Sequence, residues 1–176
     1  MTGRSQVRSR RILVVAERFN QARSRSLEEL LQRDLSRWLQ VSLRLGALAG
    51  SSRRLQRLGL QLAKSVTNPW GQSFPQAAHA LNLLPPAPLR AKWPREQARK
   101  VAFRVLSQLS PSYDVTLLMG RRVAQALDVD EAWRFGELIC CEVKLVVLPH
   151  PSGLNRIWND SQEISRLAHT LKEVLA

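Results

Sequence analysis

His150 lies between two prolines at the end of an apolar run, in the stretch Val146-Val-Leu-Pro-His-Pro-Ser-Gly-Leu-Asn-Arg156. Each proline fixes its own φ and pushes the residue before it out of the helical region, so the imidazole is held on a stiff segment. Ser152 and Gly153 favour a turn, and Leu154, Asn155 and Arg156 follow as a mixed apolar and polar tip. The residues in front, Lys144 to Leu148, read as a buried strand with one charge at its mouth. Open α/β sheets place their ligands at the carboxyl ends of strands, which makes His150 a candidate ligand-site residue. The plain alternative is a loop histidine hydrogen-bonded to backbone.

The second chemical feature is charge. The chain has 176 residues with 27 Lys and Arg against 14 Asp and Glu, a formal net charge of +13. An excess this large points to a polyanionic partner, either a nucleic acid or an acidic membrane surface. Arginine outnumbers lysine, which favours bidentate phosphate contacts over diffuse attraction. A basic face selected for solubility is the competing account.

The elements that must position these groups follow from periodicity. Ile12 to Ala16 is a short continuous apolar run, the pattern of a buried parallel strand, and it follows a basic leader over residues 1–11. Leu27, Leu30, Leu31, Leu35, Trp38 and Leu39 recur at helical spacing. Val41 to Ala63 reads as one or two further helices, interrupted near Gly46 and at Gly50-Ser51-Ser52. Ala77 to Leu84 is apolar and ends at Pro85-Pro86. Pro94-Arg95-Glu96 opens a helix, with proline in the first turn and Glu96 near the positive end of the dipole. Asp114 to Met119 is a strand that Gly120 turns into a helix over Arg121 to Leu127, and Gln162 to Leu175 forms a closing amphipathic helix. Strands alternating with helices predict one α/β domain over 1–176, with three α/β/α layers around a mostly parallel four-stranded sheet.

Composition adds further bounds. The charged fraction of 23% and hydrophobic fraction of 44% are ordinary for a globular protein. No apolar run reaches the roughly 18 to 20 residues that span a bilayer, and the run behind the basic leader is too short for a signal segment. The expectation is a cytoplasmic, monomeric protein without membrane attachment. Cys140 and Cys141 are adjacent, so they offer neither an ordinary bridge nor a four-ligand metal site, which fits a reducing compartment. The Leu- and Arg-rich segment Leu39 to Lys64 could be read as a membrane-surface helix. The preferred reading is that it covers the sheet and presents arginines to phosphate.

The string His150-Pro-Ser-Gly-Leu-Asn-Arg156 resembles the second signature of the uracil-DNA glycosylase superfamily, a loop that closes on a flipped nucleotide. Other segments line up in family order. Gly71-Gln-Ser-Phe74 is similar to the Gly-Arg-Pro-Phe of the iron-sulfur branch, and Asn82-Leu-Leu-Pro-Pro86 followed by a proline-led helix and Val115 to Ala124 looks like the middle of the bacterial enzymes. The likeness runs from Ile12 to the end and leaves Val41 to Val66 unmatched.

The resemblance implies a DNA glycosylase that extrudes a damaged or modified pyrimidine and hydrolyses its N-glycosidic bond. Extrusion costs a few kcal/mol, recovered by stacking and by hydrogen bonds to the base edge. On this reading Phe74 stacks on the base, Asn82 pairs with its edge, and His150 stabilises the charge that develops on it. Leu154 wedges the duplex, while Ser152, Asn155 and Arg156 hold the phosphate backbone. Each role has a structural competitor: packing of Phe74 on Trp70, a strand-end cap for Asn82, and a loop plug for Leu154.

The first signature departs from the family. Its glycine-led loop is replaced by Ala16-Glu17-Arg18-Phe19-Asn20, with Glu17 on the glutamate of one branch. Arg18 falls where other branches carry the aspartate or asparagine that handles the attacking water, and a guanidinium cannot serve as a general base. Arg18 suits a phosphate or a negatively polarised base instead. The cluster cysteines of the iron-sulfur branch are missing, so no cofactor or metal is expected. Three options stay open: Glu17 orients the water, Asn20 does so from a shifted loop, or the chain flips and modifies or reads a base without hydrolysis. A generic basic nucleic-acid-binding protein is the remaining alternative.

Overall fold

The computed structural model describes residues 11–18, 25–45, 49–62, 77–87, 91–129, 134–140, 142–152 and 155–176. Most of the basic leader, together with Asn20, Phe74 and Leu154, lies outside the described residues.

Strand β1 (Arg11–Arg18) is followed by α1 (Arg25–Arg33), α2 (Leu35–Leu45) and α3 (Ala49–Arg57). The chain continues through the two-residue β2 (Gln61–Leu62) and β3 (Ala77–Leu84) to α4 (Arg95–Arg104), whose last turns widen into a π-turn over Val105–Leu109. Then come β4 (Val115–Met119), the short α5 (Arg121–Ala126), β5 (Leu138–Cys140), β6 (Lys144–Leu148) and α6 (Ser161–Leu175).

The six strands form one sheet in the order β2-β3-β1-β4-β6-β5. All neighbouring strands run parallel except β5, which is antiparallel to β6. The α/β class and the mostly parallel sheet agree with the sequence reading. The count of four strands does not: among the described residues five strands have three residues or more, and β2 makes a sixth. The strands that were missed, β2 and β5, are both too short for an alternation pattern to register.

Alternation along the strands divides the core into two layers. Leu13 and Val15 of β1, Leu81 and Leu83 of β3, and Leu145 and Val147 of β6 face one side, where α1, α2, α4 and α5 cover them with Trp38, Leu39, Val101 and Val123. Ile12, Val14 and Ala16, together with Val146 and Leu148, face the other side, under Leu55 of α3, Leu58 just past its end, and Leu167 and Leu171 of α6. Both faces are apolar, which is why the central strands read as continuous hydrophobic runs.

Local details explain the boundaries. The predicted helix over residues 27–39 is divided at Asp34, whose carboxylate accepts a hydrogen bond from the Arg37 amide 3.0 Å away and so starts α2. Gly50-Ser51-Ser52 lies inside α3 and does not interrupt it. The Asp160 carboxylate caps α6 by accepting from the Gln162 and Glu163 amides.

Strand order fixes where a site can form. The chain leaves β1 for β3 on one side and later returns past it to β4 on the other. That reversal opens a crevice at the carboxyl ends of β1 and β4, the place where open α/β sheets bind ligands.

Candidate functional site

Glu17, one residue before the end of β1, faces that crevice, and β4 delivers Gly120, Arg121 and Arg122 beside it. His150 follows β6 by two residues. Glu17 Oε1 lies 3.5 Å from His150 Nε2, and its Oε2 lies 3.6 Å from the guanidinium of Arg122. The carboxylate is largely covered, at 15% side-chain exposure, while His150 is 39% and Arg122 60% exposed. The three groups share an open depression of about 360 Å³ with Arg121, Phe135, Asn155 and Ile157. Glu17 is the only carboxylate among its described lining residues.

Close approach of the strands depends on Gly120. Its φ is +100°, a conformation that side chains other than glycine rarely adopt, and a Cβ there would lie 2.9 Å from the Cβ of His150. Its amide donates to the Leu148 carbonyl at 2.8 Å, so the turn after β4 is tied directly to the end of β6.

Loop hydrogen bonds orient the imidazole. The Ser152 amide donates to His150 Nδ1 at 3.1 Å. Nδ1 is therefore an acceptor, and the neutral ring carries its proton on Nε2, the atom that faces Glu17. The His150 carbonyl accepts from the Asn155 side-chain amide at 3.2 Å and from the Trp158 indole at 2.9 Å. Asn155 Oδ1 in turn accepts from the Ile157 amide and caps the 3-10 turn Arg156–Asn159, which buries Trp158 against the α3/α6 layer. Asn155 thus serves the loop from within, and Arg156 beside it is exposed.

Other expected site residues are placed differently. Arg18, adjacent to Glu17, leans toward the opposite flank. Its guanidinium donates to the Lys92 carbonyl at 2.7 Å and lies 5.7 Å from the centre of the Trp93 ring. It lines a separate depression with Glu28, Leu84 and Pro94. Burial lowers its pKa, a trend that Glu17 opposes and Arg122 reinforces, yet the group remains a cation at neutral pH.

Asn82 is fully buried, two residues before the end of β3, in register with Ala16. Its amide and carbonyl both bond to the hydroxyl of Ser42, at 3.0 and 2.9 Å. It does not line the His150 depression in this conformation. Arg121, Arg122, Phe135 and Ile157 were not singled out as site residues from sequence. Arg121 and Arg122 did carry a readable signal, because they follow a glycine at the carboxyl end of a strand.

The arrangement can hold a planar polar ligand between a carboxylate, a ring N–H donor and two guanidinium groups. Among the described residues no three His, Cys, Asp or Glu side chains gather to hold a metal ion, and no helix is long and apolar enough to cross a membrane. No family model matches the chain, and no curated protein matches it.

Proposed function

We propose that the chain is a DNA N-glycosylase that removes a damaged or modified pyrimidine, with Glu17 and His150 as its catalytic pair. The observation that carries the reading is the pairing itself. A carboxylate and a histidine Nε2 meet 3.5 Å apart in a depression with a cationic rim, although their positions lie 133 residues apart in sequence.

The chemistry follows from these atoms. An everted base enters the depression with a ring carbonyl toward His150 and its sugar toward Glu17. As the bond between C1′ and the base nitrogen lengthens, its electron pair moves onto the base. The Nε2–H of His150 donates to the carbonyl oxygen where that charge collects, a stabilisation that grows toward the transition state. Glu17 orients a water toward C1′ and takes its proton as the new C–O bond forms. The proton then passes to the departing base, so neither an oxidant nor a metal enters the balance. Arg122, 3.6 Å from the other carboxylate oxygen, helps to hold Glu17 in place.

Of the two water-positioning candidates, Glu17 faces His150, and Asn20 lies outside the described residues. Arg18 turns away and is available for phosphate or for the rim of the cleft. Arg121 and Arg122 supply further positive charge at the rim, as a DNA backbone requires, and the exposed Arg156 follows Asn155 in sequence.

A second reading has its own support. Arg18 stands where other branches carry their water-handling residue and turns away from Glu17, which suits a protein that flips and reads or modifies a base without hydrolysing it. One experiment separates the two. Duplexes carrying uracil, mismatched, hydroxymethylated or sugar-modified pyrimidines are incubated with the protein and then treated with alkali. Strand breaks at one of these bases support the glycosylase, base-dependent binding without breaks supports the reader, and binding indifferent to the base removes both.

A further inference from the structure

Helix α3 lies in the segment that the family resemblance leaves unmatched, yet it grips the loop that carries His150. The Arg54 guanidinium donates to the carbonyl of Pro151, the residue after the histidine, and its Cζ lies 5.9 Å from the centre of the Trp158 ring. One turn further on, Arg57 donates to the Trp158 carbonyl at 2.6 Å. Trp158 itself is buried and donates its indole N–H to the His150 carbonyl. Two arginines, one tryptophan and the histidine backbone thus form a continuous chain of contacts. The helix is a firm base for it, because Leu55, and Leu58 just past its end, are anchored in the same apolar layer as Trp158.

Physical chemistry explains why guanidinium groups serve here. Prolines 149 and 151 bring no amide hydrogens, so the loop cannot continue the β6 ladder and its carbonyls need donors from elsewhere. A guanidinium offers five N–H donors in a fixed fork and stacks on an indole face, which lets Arg54 hold the carbonyl and the ring together.

We infer that Arg54 and Arg57 are positioning residues that fix the His150 loop, and not the phosphate contacts that their place in a basic helix implies. The importance of this loop for function rests on the glycosylase reading, but the experiment does not. Long-range ¹H–¹⁵N correlation of the His150 ring in the full chain, at a pH well above the ordinary histidine value of about 6.5, reports which nitrogen carries the proton. The unmodified protein shows the Nε2–H form. The double variant R54A/R57A shows an averaged mixture of the two neutral forms, and R54K, which keeps the charge without the fork, is averaged as well.

In parallel, the salt dependence of binding to an unmodified duplex keeps its slope within about 0.9 of the original in the double variant, less than one phosphate's worth. Unchanged ring signals in R54A/R57A, or a slope reduced by about 1.8 as two lost phosphate contacts require, overturns the inference. Should the double variant fail to fold, the unmodified protein still decides. Guanidinium N–H exchange that is slower at Arg54 and Arg57 than at exposed Arg53 supports the clamp, and equal rates at all three overturn it. A protein that passes these tests and yields no abasic product loses only the glycosylase reading.

Discussion

The two segments that meet in the crevice are built in opposite ways. The His150 loop is determined many times over: the Ser152 amide sets the ring, Asn155 and Trp158 hold the carbonyl, and α3 braces the turn from outside. At the end of β1 the two polar residues part company. Glu17 joins β4 and β6, while Arg18 goes to the β3 flank and the Lys92–Trp93 backbone and ring. A one-residue difference therefore decides which charge faces His150. On the proposed reading, charge stabilisation needs a preorganised donor, which the hydrogen-bonded His150 supplies. On the same reading the water-handling group needs correct placement, which the end of a central strand provides.

This contrast can be broken most sharply at Glu17. E17Q keeps the shape of the side chain but removes its basicity, and the rate of base release should fall by about 10²–10⁴-fold, the range for a positioned general base. H150A should follow with a loss of about 10²–10³-fold, as for an oxyanion donor, with duplex affinity largely retained. Single-turnover rates at saturating protein measure both. If the rigid loop rather than the carboxylate dominates, the order reverses.

A smaller effect tests the contact between β4 and β6. G120A places a Cβ against His150 at a positive φ, and denaturant unfolding should show a loss of about 1–3 kcal/mol. An unchanged midpoint would show that the two strand ends are not in contact. Smaller again is R18A. With Arg18 outside the His150 depression, this change should lower the salt slope of DNA binding by at most about 0.9 and leave the choice of base intact. A switch in base preference would move Arg18 into the pocket.

The opposite end of the sheet offers a control, because its titrating pair is remote from the chemistry. His79 Nδ1 and the Tyr113 hydroxyl lie 3.0 Å apart and partly buried. Burial lowers the histidine below its ordinary 6.5 and raises the phenol above its ordinary 10.0, the latter despite Arg11. Below 6.5 the unfolded chain takes up the His79 proton more readily than the native one, so stability falls as the pH drops through that value. Above 10.0 the unfolded chain loses the Tyr113 proton more readily, so stability falls as the pH rises. H79Q should flatten the acid side of the unfolding midpoint against pH without altering base release.

Much of the scaffold could be read from residues. The continuous apolar runs of β1, β4 and β6, the proline-led α4 and the amphipathic α6 all follow from periodicity and end signals. The His150 loop was legible because two prolines and a turn follow a strand. What escaped has physical causes. Two- and three-residue strands such as β2 and β5 are too short to show a period. Asp34 divides one leucine pattern into two helices without disturbing its spacing. Asn82 was expected at a strand end facing the base, but β3 runs on to Leu84 and closes it into the interior. The arginines of α3 read as phosphate contacts because sequence does not reveal which carbonyls in a distant loop lack donors. Asn20, Phe74 and Leu154 lie outside the described residues, and their expected roles stand as parts of the proposal.

The most direct test follows one duplex bearing the best substrate base of the panel, in single turnover, with the unmodified protein and with E17Q. The account predicts rapid appearance of alkali-labile sites for the former, and for E17Q the same binding with almost none. Equal rates for the two proteins would contradict it.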